Sequence, residues 1–182
     1  MNTYKTEGVV LKRINFGEAD RILTIYTKHH GKVVLLAKGI RKMSSRKRGN
    51  LEIFNQVIFF AVKGKGMDVI TEVETKNSFS SWRKDLKKVI AAYEICEMTD
   101  KLSPENSEQE EIYESLVSYL EKLKEVSRNN LEIWVDSFGK FLLQTLGYWP
   151  KERPYPSGFN VSFQIEQIIE KELKSKKFLK RV

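Results

Sequence analysis

The chain changes its hydrophobic period once, close to residue 80, and that switch limits the folds open to it more than any other feature. Before it, Ile22, Thr24 and Tyr26 stand against Leu23, Ile25 and Thr27, and Val69, Thr71, Val73 and Thr75 against Ile70, Glu72 and Glu74. A period of two puts successive side chains on opposite faces of a sheet, one buried and one wet. Residues 7–16, 21–28, 32–39, 53–63 and 68–76 are each rich in Val, Ile, Thr, Phe or Tyr, with Gly-containing turns between them. Five short antiparallel strands predict a small closed barrel, because closure removes exposed sheet edges. The five-stranded barrel that recurs in nucleic-acid binding is the OB-fold.

Beyond residue 80 the apolar spacing becomes three and four. From Trp82, the positions Leu86, Val89, Ile90, Tyr93 and Cys96 or Glu97 fall on one helical face, which Leu102 closes before Pro104. Ser107 with Glu110 reads as a capping box opening a second helix with Ile112, Leu116, Tyr119, Leu120 and Leu123 inside. Asn129 with Glu132 opens a third, whose wide apolar face runs from Leu131 through Trp134, Phe138 and Leu142 to a stop at Gly147. Residues 163–174 read as a short last helix. The expected class is α+β: an N-terminal five-stranded OB-fold barrel over residues 1–80 for nucleic-acid binding, then an all-α domain over 81–182 for packing and protein partners.

Charge divides at the same place. Of the 32 Lys and Arg and 24 Asp and Glu, the first 80 residues hold 15 and 7, and the remainder 17 and 17, so the whole +8 excess belongs to the strand-forming part. A basic surface attracts polyanions and a balanced one does not. The excess concentrates between the third and fourth strands, where residues 38–49 hold Lys38, Arg41, Lys42, Arg46, Lys47 and Arg48 and no acid. Crowded cations on a mobile connection repel one another unless a polyanion neutralises them, so phosphates are the expected ligand and a merely solvated loop the alternative. Lys12, Arg13, Lys63 and Lys65 extend this track if their strands place them on the same face. Phe16, Tyr26 and Phe54 are candidate rings for stacking on bases, each of them equally a candidate for the core. Six phosphate contacts on a single strand would give a logarithmic salt slope of about 4.

Other features exclude more than they assign. The longest apolar run, Val57 to Val62, has six residues, against about 20 for a membrane-spanning helix. No signal-peptide stretch follows Met1, so a cytoplasmic location is expected. One cysteine, Cys96, forms neither an internal disulfide nor a cysteine-rich metal site, and no metal or cofactor is expected. Adjacent His29 and His30 point to opposite faces and read as turn residues. Gly64-Lys65-Gly66 lacks the remainder of a phosphate loop and reads as a hairpin. No nucleophile, base and orienting acid can be assembled, so an enzyme is not expected.

A family resemblance attaches to particular residues: Glu7-Gly8-Val9-Val10-Leu11-Lys12, Gly17-Glu18-Ala19-Asp20-Arg21-Ile22-Leu23-Thr24, Gly31-Lys32, Ala37-Lys38-Gly39-Ile40-Arg41, Leu146-Gly147-Tyr148-Trp149-Pro150 and Leu173-Lys174-Ser175-Lys176-Lys177-Phe178-Leu179. Together these resemble the bacterial RecO recombination mediators. The resemblance implies an OB-fold followed by a helical domain, and a mediator that binds single- and double-stranded DNA and anneals complementary strands. It also implies help in loading recombinase onto strands coated by single-strand-binding protein, with RecR and the acidic, apolar C-terminal tail of that coating protein as partners. Lys140, Lys174, Lys176 and Lys177 are candidates to receive such a tail. Many family members carry a four-cysteine zinc module after the Gly-Tyr-x-Pro segment. Here residues 151–158 lead to the last helix without a cysteine, so zinc is not carried over. The rival readings are an adaptor whose barrel binds an acidic protein, and an RNA-binding barrel.

Overall fold

A computed structural model describes residues 2–43, 45, 47, 49–170 and 173–174. Its first strand, β1 (Thr3–Phe16), serves two neighbours: Thr3 to Val9 pair with β4 (Gln56–Val62), and Gly8 to Phe16 with β2 (Asp20–Thr27). Where the partner changes, the backbones crowd together. A Cβ on Gly8 would stand 2.8 Å from the Tyr26 carbonyl oxygen, so only glycine fits. A bulge between Val10 and Lys12 then re-aims the strand. β3 (Gly31–Ala37) runs antiparallel to β2, and β5 (Asp68–Asn77) antiparallel to β4. The barrel closes in the order β1-β2-β3-β5-β4 through a short parallel seam, Leu35 with Asp68 and Leu36 with Val69. This is the five-stranded OB-type barrel.

Inside the barrel Leu23, Ile25, Leu35, Val57, Phe59 and Ile70 are all but fully buried. Each contributes about 1.5–3 kcal/mol relative to exposure. β4 starts at Gln56, three residues later than its composition predicts. Phe54 sits in the left-handed region at φ 76 and its amide donates to the Val10 carbonyl at 2.8 Å, which turns the chain instead of extending it. Alternation predicts one buried and one wet face for β2, but both are largely covered, with Leu23 at 0% and Tyr26 at 1% exposure. Residues Pro104–Val117, which form one compact unit with Met1–Phe79, supply cover on the Tyr26 side. The Asn106 amide donates to the Lys32 carbonyl at 2.9 Å, and Gln56 Nε2 to the Tyr113 hydroxyl at 2.9 Å. Burial pushes the Tyr113 phenol up to about 12.

That cover explains why the second helix starts late. Ser107 lies against Gly31, where an added Cβ would be 2.0 Å from the Ser107 carbonyl oxygen, and Asn106 has φ 55. The Ser107 backbone is thus used in packing, and α2 (Glu110–Lys122) begins at the residue expected to complete the capping box.

The second unit comprises Ser80–Ser103 with Ser118–Val182. α1 (Leu86–Leu102) is capped by Asp85, whose carboxylate accepts from the Lys87 amide at 3.1 Å. Trp82 precedes the helix, where its buried ring donates through Nε1 to the Leu120 carbonyl at 2.7 Å. A 3-10 turn, Arg128–Asn130, leads into α3 (Leu131–Thr145), and the chain turns at Gly147 with φ 79, as its sequence predicts. α4 (Val161–Ile169) starts earlier than expected because Asn160 caps it, and stops at Glu170 in the left-handed region. The helices meet closely: a Cβ on Gly139 of α3 would stand 2.4 Å from Val161 of α4 and 3.3 Å from the Met98 sulfur of α1. Among the described residues no helix is long and apolar enough to cross a membrane.

Candidate nucleic-acid interface

Composition predicts a mobile connection between β3 and β4, but the described residues near its two ends are anchored on the barrel. Ile40 and Leu51, near its two ends, are fully buried among the barrel side chains. Gly39, at φ 65, donates its amide to Asp20 Oδ1 at 2.7 Å, and the Arg41 amide donates to the Ala19 carbonyl at 2.8 Å, so residues 39–41 lie on the β1–β2 turn. The other half of the connection serves β5. Parallel pairing with β3 ends at Val69, and buried backbone acceptors beyond it need donors from elsewhere. Lys47 Nζ donates to the Ile70 carbonyl at 3.0 Å and Asn50 Nδ2 to that of Val73 at 3.3 Å, while Thr75 donates its hydroxyl proton to Asn50 Oδ1 at 2.9 Å.

These anchors sort the cations. Lys38, Arg41 and Lys42 are exposed and gathered beside the β1–β2 turn, with Arg41 Nη1 donating to the Gly17 carbonyl at 3.3 Å. Among the described residues none of the three has a carboxylate within ion-pair distance. Lys12 is exposed on the outer side of β1. Lys47 is half-buried and engaged with β5. Arg13 is engaged too: its guanidinium pairs with Glu52, which also holds Arg21 at 3.5 Å, so a carboxylate from the basic connection itself neutralises the mouth of the barrel. Lys63 and Lys65 are exposed in the β4–β5 hairpin, but the chain brings them to the other end of β3. Lys63 Nζ lies 5.6 Å from the Tyr4 ring centre, beside a cavity of about 370 Å³ whose wall includes His30, Val34 and Asp68. Arg46 and Arg48 lie outside the described residues.

The rings divide as sharply. Tyr26 and Phe54 belong to the interior at 1% and 4% exposure, whereas Phe16 is 49% exposed at the end of β1, and so is Ile14 two residues earlier. Sequence reasoning passed over Ile14, although alternation from Lys12 to Phe16 puts all three on one face. It also missed Asp20 and Glu52, whose roles depend on pairings distant in sequence. The β4–β5 side of the barrel has a different character: Glu72 and Glu74 are exposed on β5, and Glu7 pairs with Lys76 at 2.7 Å.

In the helical unit Lys140 Nζ lies 5.4 Å from the Tyr155 ring centre, within a cluster where Trp149 stacks on Tyr155 at 4.9 Å. The Lys174 amide donates to Glu97 Oε1 at 2.8 Å. Lys176 and Lys177 lie outside the described residues. His29 faces Glu108 at 3.7 Å while His30 meets the edge of Tyr4 at 4.9 Å, so the two imidazoles diverge. Cys96 is buried in α1, and desolvation raises its thiol pKa well above the ordinary range.

Two family models, described as Recombination protein O N terminal and C terminal, match residues 1–79 and 83–152. The chain belongs to the RecO family. The DNA repair protein RecO of Acetivibrio thermocellus is 34% identical over 150 residues, 82% of this chain and 59% of that protein. That of Rubrobacter xylanophilus is 38% identical over 154 residues, 83% of this chain and 60% of the relative. The Bifidobacterium adolescentis protein reaches 43% over 103 residues, 56% of this chain and 42% of the relative. The chain therefore spans between 42% and 60% of the length of these RecO relatives. A four-cysteine zinc module does not fit this chain, whose one cysteine is buried in α1. Among the described residues no group of three or more His, Cys, Asp and Glu is placed to hold a metal.

Proposed function

We propose that this chain acts in recombinational DNA repair by binding single- and double-stranded DNA through its barrel, annealing complementary strands and helping to load recombinase onto strands coated by single-strand-binding protein. The observation that carries the reading is the convergence of exposed Lys38, Arg41 and Lys42 beside the β1–β2 turn, with no carboxylate partner among the described residues. Cations held together on a rigid frame repel one another, and phosphates relieve that repulsion while releasing condensed counterions. Such binding is largely indifferent to base sequence. Annealing follows from the same charge: a strand neutralised along part of its backbone lets a second approach with less repulsion. The role needs no catalytic group, and none is assigned.

RecR and the acidic C-terminal tail of single-strand-binding protein are the proposed partners, with Lys140, Lys174, Lys176 and Lys177 on the helical unit as candidate contacts for the tail. The proposed location is the cytoplasm, in association with the nucleoid. Titrating the intact chain into fluorescently labelled single-stranded DNA, duplex DNA and single-stranded RNA, each across a salt series, tests the reading by anisotropy. It predicts DNA binding that weakens steeply with salt. Absence of salt-linked DNA binding would favour an adaptor, and strong preference for RNA an RNA-binding barrel.

A further inference from the structure

We infer that Ile14 and Phe16 form a stacking platform for the unpaired bases of a single strand, so that the interface distinguishes single-stranded from duplex DNA. The inference rests on the phosphate-binding role proposed for Lys38, Arg41 and Lys42. Lys12, Ile14 and Phe16 alternate along the outer side of β1, opposite Thr24, Ile22 and Asp20 of β2. Two neighbouring large apolar side chains, each 49% exposed, are costly on a strand surface unless something covers them. Among the described residues Phe16 meets no other ring, and about half of its surface stays open to solvent.

The occupant is identified by what flanks the platform. Asp20, the cross-strand partner of Phe16, accepts the Gly39 amide at 2.7 Å, and Arg41 donates to the carbonyl of Gly17, the residue after Phe16. The end of β1 that bears the ring therefore lies at the turn on which residues 39–41 are anchored, with Lys12 four residues back, about 13 Å along the strand. An apolar surface with cations at both ends complements a chain that alternates flat bases with phosphates. In a duplex the bases are already stacked on one another and paired, so their faces do not reach such a surface. Exposure of a ring alone does not make the assignment. Phe60 is 39% exposed on β4, yet the ammonium of Lys5, its partner on β1, already lies 5.2 Å from its ring centre, and Glu72 and Glu74 of β5 flank it with, among the described residues, no loop of unpaired cations beside them.

The test compares the intact chain with Phe16→Ala, Phe16→Tyr and the triple variant Lys38→Ala/Arg41→Ala/Lys42→Ala, against a labelled oligothymidylate and a duplex of equal length. Phe16→Ala should weaken single-strand binding about tenfold, the scale of one lost stacking contact, and change duplex binding less than about twofold. Phe16→Tyr should restore single-strand binding. Because stacking releases no counterions, Phe16→Ala should leave the salt slope unchanged, whereas the triple variant lowers it on both ligands. Equal losses on both ligands, or no loss on the single strand while the wild type binds, would overturn the platform and leave the phosphate cluster standing. A wild type that binds neither ligand overturns both.

Discussion

Leu51→Ala should destabilise the barrel by about 3–4 kcal/mol, although residue 51 lies within a connection whose composition reads as solvated. Leu51 is fully buried in the core cluster with Ile40. Removing three carbons, the equivalent of three methylenes, forfeits about 2.4 kcal/mol of transfer free energy. A residual void of about 50 Å³ adds about 1 kcal/mol at 24 cal/mol per Å³. All three tryptophans, Trp82, Trp134 and Trp149, belong to the helical unit, so their fluorescence would not report on the barrel. Hydrogen exchange at the β2 and β3 amides of the intact chain, compared between wild type and variant, reads the loss where it occurs. Met43→Ala, at a side chain 98% exposed in the same connection, serves as the control and should change nothing. A loss below about 1 kcal/mol for Leu51→Ala would refute the buried anchor, since fully buried leucines truncated to alanine cost about 2–5 kcal/mol.

Gly31→Ala should destabilise the barrel unit severely: the left-handed backbone at φ 61 alone costs about 1–3 kcal/mol, and the new Cβ would stand 2.0 Å from the Ser107 carbonyl oxygen, a loss measurable by thermal melting. Tyr113→Phe removes the acceptor of the Gln56 amide and leaves a buried donor unpaired, so the unfolding free energy should fall by about 1–3 kcal/mol in urea titration followed by circular dichroism. Asp85 accepts from Arg128 Nε at 2.9 Å, and this hydrogen bond holds its carboxyl below the usual carboxylate range. A group whose folded pKa is depressed stabilises above its unfolded pKa and loses that contribution as pH falls through the folded value. Asp85→Asn keeps a capping oxygen but no charge, so its melting temperature should lie below that of the wild type near neutral pH and converge with it in acid.

Much of the fold was legible because it depends on local periodicity. The β-branched and aromatic composition of the strands, and the three-and-four spacing of α3 with its stop at Gly147, are local signals, whereas alternation in β2 does not tell its faces apart because both are covered. What could not be read depends on contacts between residues distant in sequence. Ser107 with Glu110 is a sound capping signature, but the packing of Ser107 against Gly31 overrides it. Phe54 looks like strand until its left-handed backbone and its amide's hydrogen bond to the Val10 carbonyl are seen. In the candidate interface the clustering of cations was legible, while their sorting was not. Arg13 and Lys63 have the same charge and strand context in sequence, yet one faces Glu52 and the other projects from a hairpin at the far end of β3. Phe16 could be separated from Tyr26 and Phe54 only once burial was known.

The claim at the centre of this account is that Lys38, Arg41 and Lys42 meet phosphate together. The most direct measurement is the slope of log affinity against log salt for single-stranded DNA, in the wild type and in the variant with all three replaced by Ala. At about 0.7 per neutralised phosphate, the account predicts a slope shallower by about 2 in the variant, with the melting temperature nearly unchanged. Identical slopes in the two proteins would contradict it.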